Sequence, residues 1–250
     1  EDTLVSGCKV RQVIASLYRN YDYIKNKCGG KIIAGTSVTS TYGITITRVA
    51  REFGFKSTIL MAKNSKHNSI MHKIKEAGGD VLKSAGLGFN SVISKKVCEL
   101  AEKHSMFALL DSGIKNDLWV INNSTAYQAQ NIPKDLDNLI VPVGRGVCFA
   151  GILRGLSKYR ICPKRVIGVQ ISGYDRTNTI DYILKEAYPY ELIIDKTYPY
   201  SKHVKLKFNN TEYLDPVYEA KAFKWMENNI DYKNSKTLFW IIGNNLLVGY

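Results

Sequence analysis

The chain of 250 residues lacks an apolar run long enough to cross a bilayer as a helix, so no membrane partner is expected. No signal-peptide pattern stands at its start, and it opens at Glu1 without a methionine, which leaves room for residues upstream. Its five cysteines, Cys8, Cys28, Cys98, Cys148 and Cys162, form no Cys-x-x-Cys pair. Their odd number and scatter argue against a disulfide framework or a zinc site. Free buried thiols in a reducing, cytoplasmic compartment are expected instead. Internal repeats, low-complexity tracts and flexible linkers are absent, as are helix-turn-helix, RNP and zinc-finger patterns. Negative charge is also scarce. Twenty-two Asp and Glu stand against 35 Lys and Arg, a net +13. That excess favours nucleic acid, phosphates or anionic substrates as partners, or else is a solvated basic face, because the lysines are spread out rather than clustered.

What is present is ordinary for a globular protein: 45% hydrophobic and 23% charged residues, in a chain long enough for one large domain or two small ones. Apolar periodicity predicts helices over 10–23, 42–53, 68–77, 90–104, 126–131, 147–159, 177–187 and 216–228. Short apolar runs predict strands over 31–35, 57–62, 81–82, 106–110, 139–143, 165–170, 192–195 and 237–242. Residues 111–124 are polar and loop-like, and 198–210 are aromatic and basic without a clear period. Such β-α alternation implies parallel sheets covered by helices.

Four stretches carry candidate chemistry. In Ser6-Gly7-Cys8-Lys9-Val10-Arg11 a lysine follows a glycine turn at the start of an apolar helix. In Thr36-Ser37-Val38-Thr39-Ser40-Thr41 small and hydroxyl residues lie between a strand and a helix, which suits either a carboxylate cradle or ordinary capping by Ser40 or Thr41. Residues Val143-Gly144-Arg145-Gly146-Val147-Cys148 leave a strand and open a helix, so their amides can wrap an anion; a tight strand-helix turn is the alternative. The fourth is Leu214-Asp215-Pro216-Val217-Tyr218-Glu219-Ala220-Lys221-Ala222, where proline suits a helix's first turn and Tyr218-Glu219 is otherwise a helix-face pair.

Taken together these stretches resemble the fold-type II pyridoxal-phosphate enzymes related to 1-aminocyclopropane-1-carboxylate deaminase and D-cysteine desulfhydrase. That family reads Gly-Gly-Asn-Lys-x-Arg-Lys at the first stretch and Asp-Pro-Val-Tyr-(Glu/Thr)-Gly-Lys at the last. Its phosphate loop reads Pro-Val-Gly-(Ser/Thr)-Gly-Gly-Thr, and its substrate loop Ser-x-x-Ser-Asn-(His/Gln) or Ser-Gly-Asn-x-Gly. The departures are Cys8 for asparagine, Arg145, Val147 and Cys148 in the phosphate loop, Thr41 or Tyr42 for the substrate-loop asparagine, and only eight residues ahead of Lys9. Val147 does not easily take the positive φ of the glycine it replaces, and Arg145 could supply charge in compensation.

The resemblance implies a two-domain, tryptophan-synthase-beta-like α/β fold, with 1–35 and 115–250 as a large cofactor-binding domain and 36–114 as a small one, the cofactor lying between them. It implies pyridoxal 5'-phosphate as cofactor, a small amino acid as substrate and a homodimer. Lys9 would carry the cofactor as a Schiff base, and Tyr218 and Ser40 would join it in catalysis. Thr41, Gly144, Arg145, Gly146, Val147, Cys148, Glu219 and Gly243 would hold the cofactor, Glu219 at the pyridine nitrogen. Ser40, Thr41, Gly43, Tyr42, Tyr200 and Tyr218 would meet the substrate, with Tyr198 the other candidate for a second active-site tyrosine; no metal is implied. Gly243 lies in Ile241-Ile242-Gly243-Asn244-Asn245-Leu246-Leu247, similar to the family's closing loop. The implied activity is deamination or lyase chemistry. The alternatives are an enzyme processing an amino-acid adduct on nucleic acid, such as a hypermodified base in viral DNA, or a degenerate, non-catalytic ligand-binding member.

Overall fold

The computed structural model describes residues 7–37, 40–62, 69–84, 90–110, 114, 117–171, 173–199, 201–208 and 212–243. Among these, the residues up to 116 and those from Asp117 onward form two compact units.

In the first unit α1 (Cys8–Arg19) and α2 (Tyr21–Lys27) precede β1 (Lys31–Gly35). The sequence predicts one helix here. The break falls at Asn20, whose side-chain amide donates to the Ser16 carbonyl at 2.8 Å, a bond that competes with the helical ladder. Then follow α3 (Tyr42–Glu52), β2 (Lys56–Ala62), α4 (Ser69–Glu76), β3 (Asp80–Ser84), α5 (Asn90–Lys103) and β4 (Phe107–Leu109). All strand pairs are parallel and the sheet order is β3-β2-β1-β4. Two crossovers step one way from β1 and the third returns past it. Right-handed connections therefore put α3 and α4 on one face and α5 on the other. Ile93, Val97 and Ala101 of α5 cover Ile33 and Leu60, while α1 packs on α3. Residues 8–35, which the sequence reading grouped with 115–250, pack within this first unit, with β1 an inner strand of its sheet.

The second unit opens with α6 (Leu118–Asn122), α7 (Thr125–Gln128) and a 3-10 turn (Ala129–Asn131). α6 lies in the stretch expected to be loop; it is five residues long and rests on Asp117, whose carboxylate accepts from the Val120 amide at 3.1 Å. There follow β5 (Asn138–Val143), α8 (Val147–Tyr159), β6 (Arg165–Gln170), α9 (Thr177–Leu184) and β7 (Glu191–Ile194). A small antiparallel pair joins β8 (Lys207–Phe208), inside the stretch 198–210 that showed no period, to β9 (Glu212–Tyr213) just beyond it. α10 (Glu219–Asn229) and β10 (Thr237–Phe239) complete the described part. The four-stranded sheet is parallel, in the order β10-β5-β6-β7. Side chains alternate across it: Leu139, Val141 and Val143 face α8 and α9, whereas Ile140, Ile167 and Val169 face Ala222 and Met226 of α10. Each sheet thus reverses its strand order beside its first strand, β1 or β5, and ligand crevices form at the carboxyl ends of strands at such switch points.

Among the described residues Cys28, Cys98 and Cys162 are free thiols, but only Cys28 is buried. The expectation of buried free thiols fails at the exposed Cys98 and Cys162.

Gly155 allows α8 to lie against α7. A Cβ there would stand 2.3 Å from the Ala126 carbonyl oxygen and 2.5 Å from the Ala129 Cβ. Gly155→Ala should therefore destabilise the protein by about 1–3 kcal/mol in urea unfolding. Gly173→Ala, which meets nothing within 4 Å, should change stability by less than about 0.5 kcal/mol. Equal stability of the two variants would contradict this packing.

Candidate active site

The expected site residues fall into two groups, one in each unit. In the first, Gly7 takes φ 129, a conformation that suits glycine, and sets Lys9 in the opening turn of α1. The Lys9 ammonium lies over the Tyr42 ring, 4.6 Å from its centroid, in cation–π contact. Tyr42 opens α3, and its amide donates to the Ser40 hydroxyl oxygen at 3.2 Å. Thr41 lends its carbonyl to the amide and hydroxyl of Thr45, at 3.0 and 3.3 Å. Lys9, Ser40, Thr41 and Tyr42 are thereby gathered beyond the carboxyl end of β1. Ser40 caps the helix start as an acceptor and keeps its own O–H for donation, so capping and ligand binding are compatible. Gly43 has a packing role: a Cβ there would come within 2.9 Å of Ile74 and 3.0 Å of Ile59.

The second group lies at the ends of β5 and β10. Gly144 leaves β5 and takes the Tyr218 ring against its backbone, where a Cβ would lie 3.0 Å from Cε1. Gly146 carries φ 85 and begins α8, whose N-terminus has no side-chain cap. The strain expected at Val147 does not arise. The left-handed conformation falls on Gly146, and Val147 is an ordinary first helical residue. Arg145 is exposed, and Val147 and Cys148 are half-buried.

Glu219 is 1% exposed and accepts three backbone N–H bonds. One oxygen takes the amides of Ile242 (2.9 Å) and Gly243 (2.6 Å), and the other takes that of Asp215 (3.1 Å). Burial pushes its carboxyl up to about 7 and the charge of Asp215 adds to the rise, while the three amides pull it down. Asp215 itself accepts from the amides of Val217 (3.0 Å) and Tyr218 (2.7 Å), a cap that sets the entry to α10. Lys221, wholly buried, donates to the Pro199 carbonyl at 2.9 Å. Burial pushes its amine below the usual lysine range, and the charges of Asp215 and Asp195 draw it back up. Asp215 and Lys221 stood in the quoted motif without a role, and only the structure shows that both are buried. Tyr200 and Asn244 to Leu247 lie outside the described residues.

These residues fit pyridoxal phosphate. An uncapped helix start behind glycine suits a phosphate, and a buried carboxyl that titrates near neutrality suits a pyridine nitrogen. The family described as pyridoxal-phosphate dependent enzyme matches residues 4–189. A crystal structure of an ACC deaminase homologue superposes with a TM-score of 0.77 at 16% identity, covering 98% of this chain and 82% of that one. Serine racemase from Dictyostelium discoideum gives a TM-score of 0.65 at 14% identity, covering 96% and 83%. At such identities the likeness is one of fold, and it is the expected α/β fold of parallel sheets flanked by helices. A curated protein of Salmonella phage ViI, the O-seryl-dTMP PLP-dependent decarboxylase, is 28% identical over 169 residues. That match covers 62% of this chain and 39% of the phage protein, so the chain spans well under half of that relative.

Because both Glu219 oxygens accept N–H bonds, a glutamine there must turn its own NH2 toward a backbone donor. Glu219→Gln should therefore cost about 1–3 kcal/mol of stability. A raised carboxyl stabilises the fold below its unfolded value of 4.5, and that contribution is lost as pH rises toward about 7. In the cofactor-free protein the advantage of wild type over Glu219→Gln should shrink by roughly 3 kcal/mol across that window. Denaturant unfolding at a series of pH values measures this, and an advantage that grows with pH would contradict it.

Proposed function

We propose that this chain, which belongs to the pyridoxal-phosphate dependent enzymes, is a deaminase or lyase acting on a small amino acid, with Lys9 as the residue that carries the cofactor. The observation that supports it most is the Glu219 carboxyl, buried beside Tyr218 and aimed by three amides. When bound, the cofactor supplies an electron sink for the bonds at the amino acid's Cα. Glu219 holds a proton at the pyridine nitrogen and so keeps that sink strong. The Lys9 amine, at the start of α1, would hold the cofactor covalently and move the proton at Cα. Ser40 and Thr41, with Tyr42, receive the substrate carboxylate at the entry to α3. The Tyr218 phenol, seated on Gly144, acts as nucleophile or acid–base group. The segment Gly144, Arg145, Gly146, Val147 and Cys148 holds the phosphate, and Gly243 closes the site through its bond to Glu219.

A second reading has the amino acid carried on a nucleotide. It is favoured by the +13 charge and by the likeness to a phage protein named for O-seryl-dTMP. Decarboxylation or elimination on the attached amino acid would then replace deamination of a free one.

Purified protein should take up one pyridoxal phosphate and turn yellow. Borohydride should fix the cofactor's mass on the peptide containing Lys9, and Lys9→Ala should abolish that adduct while leaving the fold intact. A protein that takes up no cofactor would sink the enzyme reading, and an adduct on another lysine would remove Lys9 from its role. Release of 2-oxo acid and ammonia from free D-cysteine or 1-aminocyclopropane-1-carboxylate supports the first reading. Carbon dioxide or eliminated product from O-seryl-dTMP, with free amino acids inert, supports the second.

A further inference from the structure

The loop at the end of β5 has lost two hydroxyls and a glycine relative to the pattern it resembles, and the exposed Arg145 is the compensation that the sequence suggests. A second arginine, Arg176, lies beside the same loop. Gln170, the last residue of β6 and the register partner of Val143, is wholly buried. Its Oε1 accepts from the Arg176 amide at 3.1 Å, and its Nε2 donates to the Tyr174 carbonyl at 2.6 Å. Asp175 accepts from the amide and hydroxyl of Thr177, at 2.8 and 2.7 Å, which secures the entry to α9. These bonds pin Arg176 beside the glycine loop: a Cβ on Gly146 would stand 3.5 Å from the Arg176 Cβ. The Arg176 guanidinium leans on the Tyr174 ring, 5.8 Å from its centroid.

The Arg176 Nε is buried and has no hydrogen-bond partner. A buried donor left without a partner is destabilising, and Asp175 beside it is engaged with Thr177. A guanidinium offers Nε and one Nη as a planar fork that matches a phosphate. We propose that Arg176 is a cofactor-binding residue, whose Nε–Nη edge takes the phosphate oxygens of pyridoxal phosphate beside Gly146. Tyr174 lies against the guanidinium, and Gln170 fixes the backbone from which it reaches. This assigns to Arg176 the charge that the altered loop needs and leaves Arg145 a lesser share. It depends on the cofactor and not on which substrate the enzyme takes.

The test compares pyridoxal phosphate with pyridoxal, which lacks the phosphate. Both are titrated by absorbance into cofactor-free wild type, Arg176→Met, Arg176→Lys and Arg145→Ala. Methionine keeps the apolar stem and removes the orphaned donor. Arg176→Met should weaken pyridoxal phosphate binding tenfold or more, leave pyridoxal binding within about twofold, and leave the cofactor-free unfolding midpoint unchanged or raised. Arg176→Lys should recover part of the loss, because an ammonium keeps charge without the fork. Arg145→Ala should lose less than Arg176→Met. Unchanged pyridoxal phosphate affinity in Arg176→Met would overturn the assignment. So would equal losses for both ligands with a lowered midpoint, which would mark Arg176 as structural. If pyridoxal phosphate affinity is unchanged but dTMP binding to the holoenzyme is lost, the partner is a nucleotide phosphate and the assignment fails in that direction.

Discussion

Much of the second unit's site depends on one buried carboxylate. Glu219 stands at the start of α10 and receives amides from the segment after β10 and from the residue before Pro216. A charged or half-protonated carboxyl in such a place is tolerated only because its oxygens are occupied by donors. The same bonds fix where the chain leaves β10 and how α10 begins, so geometry and protonation are set together. Tyr218 inherits its position from this arrangement. The Asp215 cap holds its amide, and its ring meets the bare backbone of Gly144.

Two further buried polar groups support that corner. Lys221 ties α10 to the Pro199 carbonyl, and Gln170 ties the end of β6 to Tyr174 and Arg176. Each replaces solvent with one or two directed bonds, which costs little once made and much if broken. The parallel topology explains why these groups converge. β5 is the first strand of its sheet, and later strands are added on both sides, so the loops after β5 and β10 diverge from adjacent strand ends. The first unit repeats this logic around β1, where Ser40, Thr41 and Tyr42 gather with Lys9.

Much of this was legible in the residues. Strands such as 31–35 and 165–170 are short apolar runs bounded by polar or glycine residues, and both appear with the expected bounds. The helix over 147–159 has a strong apolar stripe and also matches. What escaped depended on side chains turned back on the backbone. Asn20 splits a helix, and Asp117 caps a five-residue one, through bonds that hydrophobic period does not register. The motif assigns glycine at Val147, but positive φ is a property of the turn, and Gly146 absorbs it. Burial of Lys221 and Gln170 is equally invisible in sequence, since both residue types are mostly exposed. Arg176 sits in Asp-Arg-Thr at a helix start, a pattern that suggests capping alone; only packing against Gly146 gives it a further meaning.

In the proposed function Glu219 keeps the cofactor's ring nitrogen protonated. Pyridoxal phosphate labelled with 15N in the ring, bound to the wild-type protein, reports that proton through the nitrogen chemical shift. A pyridinium shift should persist to pH 8 in the wild type and give way to a neutral-pyridine shift in Glu219→Gln at the same pH. A neutral ring nitrogen in the wild type at pH 7, or a pyridinium shift unaffected by Glu219→Gln, would contradict it.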